Sequence, residues 1–135
     1  MFEHFIAAQA GVYETVLSEL RAGQKRSHWM WFIFPQLRAL GRSPTAQRYG
    51  LEGAEEARAY AAHPVLGVRL RGCVALANAI EGKSASAVFG FPDDLKFRSC
   101  VTLFLAATGE HLFQEALDRY YGGEGDALTL EALSA

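Results

Sequence analysis

The stretch VLGVRLRGCVALANAI, Val65 to Ile80, decides the fold class. Its apolar residues Leu66, Leu70, Cys73, Val74, Ala77 and Ile80 recur at spacings of three and four, which puts them on one face of a helix. Pro64 ahead of it suits a first helical position, because proline lacks only an amide hydrogen that the first turn leaves unused. Gly82 beyond it suits a left-handed C-cap.

The same period extends outward in both directions. Toward the N-terminus, Ala54 to Ala62 is rich in Ala, Glu and Arg, good helix formers, and His63-Pro64 ends it. Ser43-Pro44 starts a short helix that ends near Gly50, with the serine hydroxyl as cap. WMWFIF, Trp29 to Phe34, is too short for period to separate helix from strand; Ser27 as N-cap and Pro35 as stop favour a short helix. Phe5, Val12, Tyr13, Val16, Leu17 and Leu20 predict one helix from Phe5 to Leu20, with Gly23 as its C-cap. Toward the C-terminus, Ser84 caps a turn to Phe89. Asp93 or Asp94 then caps a helix buried through Phe97, Cys100, Val101 and Phe104. Leu112, Phe113, Ala116, Leu117 and Tyr120 form another helix, closed by Gly122 and Gly123, and Asp126 caps a last one holding Leu128, Leu130 and Leu133. No series of alternating strands intervenes. The expected architecture is all-α, a single-domain irregular bundle spanning residues 1–135, of about six to eight helices, several of them short.

Composition narrows the function classes. The 135 residues are 50% hydrophobic and 21% charged, a globular balance that can bury a core without disulfides or a structural metal. A net charge of −2 gives no general attraction to nucleic acid or to an anionic membrane, so an anion site has to be local. The N-terminal MFEHFIAAQAG carries Glu3 and no basic region leading into a long apolar one, so it reads as a helix start rather than a signal peptide. No apolar run is long enough to span a bilayer, and the cytoplasm is the default compartment. Cys73 and Cys100 fall on apolar helix faces, as two buried thiols would. No metal site is expected: there is no ligand spacing such as HExxH, and His4, His63 and His111 are isolated. No cofactor is expected either, and the lack of phosphate-loop, dinucleotide and nucleophile-elbow motifs argues against the commonest nucleotide-binding and hydrolase folds.

Two segments carry candidate chemistry. In KRSHWMWFIFPQ, Lys25 to Gln36, two cations, a hydroxyl and an imidazole run into two tryptophans. Lys25 and Arg26 suit an anion, His28 suits hydrogen bonding or proton transfer, and Trp29 or Trp31 suits a flat ring. The alternative is a core of Trp29, Trp31, Phe32 and Phe34 flanked by solvated charge. In FPDDLKFRS, Phe91 to Ser99, Asp93 and Asp94 suit a helix N-terminus, but Lys96 and Arg98 oppose the macrodipole there. Either Asp94 pairs with Arg98, or Lys96, Ser99 and free amides hold an anion. His28, Asp93 and Asp94 are the candidates for acid or base work. Lys25, Arg26, Trp29, Trp31, Lys96, Arg98 and Ser99 are the candidates for ligand binding. Gly41, Arg42 and Ser43 form a small polar loop that suits either a turn or a phosphate contact.

SHWMWFIFPQ at Ser27 to Gln36, GRSPTAQRYG at Gly41 to Gly50, AHPVLGVRLR at Ala62 to Arg71 and PDDLKFRSCVTLF at Pro92 to Phe104 together resemble the bacterial domain-of-unknown-function family 1810. The resemblance covers nearly the whole chain and implies a helical fold. Some members carry the label calpastatin, but the chain has no repeat, no disordered composition and no inhibitory motif. A more limited resemblance, through Lys96-Phe97 and the later Thr108-Gly109, is to the NADAR family. It implies ADP-ribose and riboflavin-pathway nucleotides, and hence an N-glycosidic bond to a ribosyl phosphate as a substrate class. Cleavage of that bond needs a carboxylate near the developing cation and basic groups on the phosphates. Asp93 or Asp94, with Lys25, Arg26, Lys96 and Arg98, fit those roles.

The leading expectation is a small enzyme or binding domain for a nucleotide-like anion, with the Lys25 to Trp31 and Asp93 to Ser99 segments as opposite walls of one pocket. The alternative is a noncatalytic interaction module that presents the aromatic 29–34 segment to a partner.

Overall fold

The computed structural model describes residues 1–134, which form ten α-helices and one 3-10 turn and no strand. The helices are α1 (Glu3–Ala10), α2 (Tyr13–Ala22), α3 (Met30–Ile33), α4 (Pro44–Arg48), α5 (Ala54–Ala62), α6 (Leu66–Ala79), α7 (Ala85–Phe89), α8 (Asp93–Thr108), α9 (His111–Tyr121) and α10 (Ala127–Ser134), with the 3-10 turn at Arg38–Leu40. The all-α class is as expected. The expected six to eight helices become ten chiefly because short turns count separately and the Phe5 to Leu20 helix is broken.

That break sits at Gly11 and Val12, and glycine is the residue least costly to leave out of a helix. It lets α1 turn so that Gln9, buried at the end of the helix, reaches three elements at once. Gln9 Nε2 donates to the Phe32 carbonyl at 2.6 Å and to the Tyr60 hydroxyl at 3.3 Å, and its Oε1 accepts from Arg69 at 3.2 Å. A buried amide satisfied on both sides fixes the helix that carries it.

α8 is the axis of the molecule. Every residue from Ser99 to Phe104 is buried, so the middle of the helix is covered on all sides. It packs against α5, α9, α7, α10 and α3, and α6 closes the far side against α2, α5 and α9. Cys73 and Cys100 are free and buried in this core. Phe34, Phe89 and Phe97 interlock there, with ring centroids 4.6 to 6.1 Å apart.

The caps divide into expected and corrected ones. Ser43 and Ser84 accept from the amides of Ala46 and Ala87, Asp126 accepts from Thr129, and Gly23, Gly109 and Gly122 end helices in the left-handed conformation. Four expectations fail, the first being the C-cap at Gly82: α6 stops at Ala79 with an extended Ile80 as its cap, two residues before that glycine. Neither Asp93 nor Asp94 caps α8, because Pro92 occupies the N-cap and both aspartates lie in the first turn. Ser27 does not cap α3, which starts after Trp29. The α6 start is held by His63, whose Nδ1 accepts from Val65 and Leu66 at 3.1 and 3.2 Å.

Between α3 and α5 the chain makes one parallel bridge. The Arg38 amide donates to the Leu51 carbonyl, and the Leu51 amide to that of Gln36, both at 2.8 Å. The Arg38 guanidinium donates to the carbonyls of Gln47 and Gly50 and pairs with Glu52. Gln47 Nε2 in return donates to the carbonyls of Gly41 and Arg38. Gly50 is required there, since a Cβ on it would sit 2.5 Å from Arg38 Cα. The segment from Arg38 to Glu52 is therefore a knotted loop rather than a loose one, and it becomes one wall of the site.

Candidate functional site

The two candidate segments converge. Lys25 Nζ lies 2.8 Å from Asp93 Oδ2, and Lys96 Nζ lies 3.3 Å from Asp93 Oδ1 and 3.8 Å from the centre of the Trp31 ring. One carboxylate thus joins the loop before α3 to the start of α8, and two lysines share it. This is also why a cation is tolerated at Lys96 against the macrodipole: Asp93 and the indole face hold it in place.

The Lys25 loop is fixed from behind by a residue that sequence reading missed. The buried Glu19 carboxylate accepts from the Arg26 amide at 2.7 Å, the Ser27 amide at 3.0 Å, the Ser27 hydroxyl at 2.5 Å and Trp29 Nε1 at 2.9 Å. Burial opposes the charge, but the Ser27 hydroxyl, the two amides and the indole N–H outweigh it and hold the carboxyl down at about 2. In sequence Glu19 looks like an ordinary surface glutamate. Its one signal is position, three residues after Val16 and one before Leu20, at the edge of the apolar face of α2.

A cleft of about 290 Å³ opens beside this junction. It is lined by Trp31, Lys96, Leu37 and Leu40 together with Gly41, Arg42, Ser43 and Tyr49 of the knotted loop. Arg42 and Lys96 are the charged residues of its lining, and no carboxylate belongs to it. Of the Asp93 to Ser99 segment, Lys96 enters the lining, with its ammonium over the Trp31 ring.

The remaining candidates fall outside the cleft lining. Trp29 is buried at 1% exposure, with its ring in the core and its N–H on Glu19, so burial denies it to a ligand and corrects that assignment. Arg26 and His28 are exposed on the loop. Asp94 accepts from the Leu95 amide through its side chain, and its carbonyl accepts from the Tyr121 hydroxyl. Arg98 turns the other way, over the Tyr121 ring and onto the Glu124 carbonyl, so it forms no ion pair with Asp94. Ser99 is buried and donates to the Leu95 carbonyl within its own helix. Of the candidates, Trp31 and Lys96 reach the cleft, with Asp93 and Lys25 directly behind them.

The family model for the protein of unknown function DUF1810 matches residues 1–133. The chain belongs to the DUF1810 family. A solved structure, that of the conserved hypothetical protein Rv1873 from Mycobacterium tuberculosis, is 51% identical, with 98% of this chain and 96% of that one covered and a TM-score of 0.97. No curated protein matches the chain. In this DUF1810 fold the two dipeptides behind the NADAR likeness sit at opposite ends of α8: Lys96 enters the cleft in the first turn, whereas Thr108 and Gly109 close the last. Twelve residues of helix, about 18 Å, separate them, so they do not build one site. Among the described residues no helix is long and apolar enough to cross a membrane.

Proposed function

We propose that the cleft between Trp31, Lys96 and the Gly41 to Ser43 loop binds a small nucleotide-like or ribosyl-phosphate anion. The observation that carries this reading is the charge balance of the lining, where Arg42 and Lys96 stand among apolar and aromatic residues with no carboxylate. Behind the lining, Lys25 and Lys96 share the carboxylate of Asp93, so Lys96 is not its sole partner. An anion entering there meets charge in a partly desolvated setting, where it acts more strongly than in bulk water. The half-buried Trp31 supports a flat ring alongside it.

Binding is better supported than cleavage of an N-glycosidic bond. Cleavage asks for a carboxylate at the developing cation, and Asp93 is engaged by two lysines while Asp94 points to its own backbone. The interaction-module alternative draws less support, because Trp29, Ile33 and Phe34 of the aromatic segment are buried.

A thermal-shift screen against nucleotides, ADP-ribose derivatives and sugar phosphates tests the reading. A ligand at one hundred times its dissociation constant raises stability by about 2.7 kcal/mol, and Arg42→Ala should reduce that gain. A screen in which no anion raises the melting temperature, or an Arg42→Ala protein that keeps the full shift, would sink it.

A further inference from the structure

We propose that Lys96 is the specificity-determining residue of the cleft: its ammonium covers the Trp31 face in the free protein, so the ligand must carry both an anionic group, which draws the ammonium away, and a flat ring, which replaces it. The proposal rests on the anion-binding reading of the same cleft.

The two lysines on Asp93 are not equivalent. Lys25 has a side chain only 7% exposed, a 2.8 Å ion pair with Asp93 and a 2.5 Å hydrogen bond to the Ser27 carbonyl, and the Glu19 carboxylate immobilises its loop. Lys96 is 22% exposed, its contact with Asp93 is the longer one at 3.3 Å, and it lines the cleft. When Lys96 swings toward an anion, Asp93 keeps Lys25. The move therefore leaves no half-buried carboxylate without a partner, which is the usual reason such a lysine stays in place. It does leave the Trp31 face bare, 3.8 Å from where the ammonium had been.

A ligand with only one of the two groups meets half of this arrangement. A bare anion draws Lys96 off and exposes an unfilled apolar face, while an uncharged ring has to compete with the ammonium for the indole. A ligand bearing both exchanges a cation–π contact for an ion pair plus a stacked ring. Selectivity follows from the coupling between the two halves, and Lys96 carries the coupling.

Calorimetric titration of the full chain with adenosine, adenosine 5'-monophosphate and inorganic pyrophosphate tests this, together with tryptophan emission on the unaltered protein and the variants Lys96→Ala and Lys96→Gln. The unaltered protein should bind the monophosphate at least roughly tenfold more tightly than adenosine, and pyrophosphate alone should change tryptophan emission as the ammonium leaves the indole. Both variants should bind adenosine more tightly than the parent and the monophosphate less tightly, closing the gap. Binding heat for pyrophosphate with no change in emission overturns the proposal while leaving the anion site standing. So does a gap that survives in both variants. No binding heat for any of the three probes overturns the anion reading itself, and this proposal with it.

Discussion

Removing the charge of Glu19 should loosen the loop that carries Lys25, and its cost can be worked from the structure. The carboxyl is held at about 2 against an ordinary 4.5. Each tenfold change in acidity is worth about 1.4 kcal/mol, so the charged form contributes about 3 kcal/mol at neutral pH. Glu19→Gln keeps the volume and one acceptor oxygen and should lose about that amount. Glu19→Ala also strands the Trp29 indole N–H and the Arg26 and Ser27 amides, which adds about 1 to 3 kcal/mol. Against a total of roughly 5 to 15 kcal/mol, the second loss approaches unfolding.

The pH dependence has a definite sign. A depressed folded value means the stabilisation is complete above the unfolded carboxyl's ordinary 4.5 and disappears as pH falls toward about 2. Urea denaturation of the parent and Glu19→Gln, followed by circular dichroism from neutral pH to pH about 2, should show the two curves separated at neutral pH and merging through that window. A separation below about 1 kcal/mol at neutral pH, or one that stays constant through the window, would refute the reasoning.

Burial pushes the Cys73 thiol up to about 12 and the Cys100 thiol well above its usual range, so iodoacetamide at mildly alkaline pH should leave both unmodified in the native chain and alkylate both in guanidinium. Mass spectrometry gives the count, and rapid alkylation of either native thiol would contradict the packing. Gly50→Ala sets a Cβ against Arg38 Cα and should cost about 1 to 3 kcal/mol through the Leu37 to Leu51 bridge. A thermal melt measures it, and an unchanged melting temperature would mean that the knotted loop is slack.

The apolar period of Val65 to Ile80 and of Phe97 to Phe104 was enough to establish the fold class, because a helical face repeats locally and needs no partner to be recognised. The caps at Ser43, Ser84, Asp126 and Gly23 were legible for the same reason, each being a contact between near neighbours in the chain. Trp31 and Lys96 could be picked out by composition: an aromatic next to cations, and a lysine on the wrong side of a helix dipole. Their meeting could not be picked out, since they stand sixty-five positions apart in the sequence and only the packing of α3 on α8 brings them together.

Local sequence determined which segments became helices and where most of them stop, because backbone hydrogen bonds and caps act over about four residues. Tertiary structure alone decided the chemistry. It buried Trp29 while leaving Trp31 at the cleft, and it turned Arg98 toward Tyr121 and away from Asp94. It also gave Asp93 to two lysines instead of to its own helix cap, and made of Glu19, marked in sequence only by its place at the edge of an apolar face, the acceptor of four hydrogen bonds. The physical reason is the range of the forces. Charge pairing and burial depend on distance through space, and in a chain folded back on itself through ten helices that distance bears little relation to separation along the sequence.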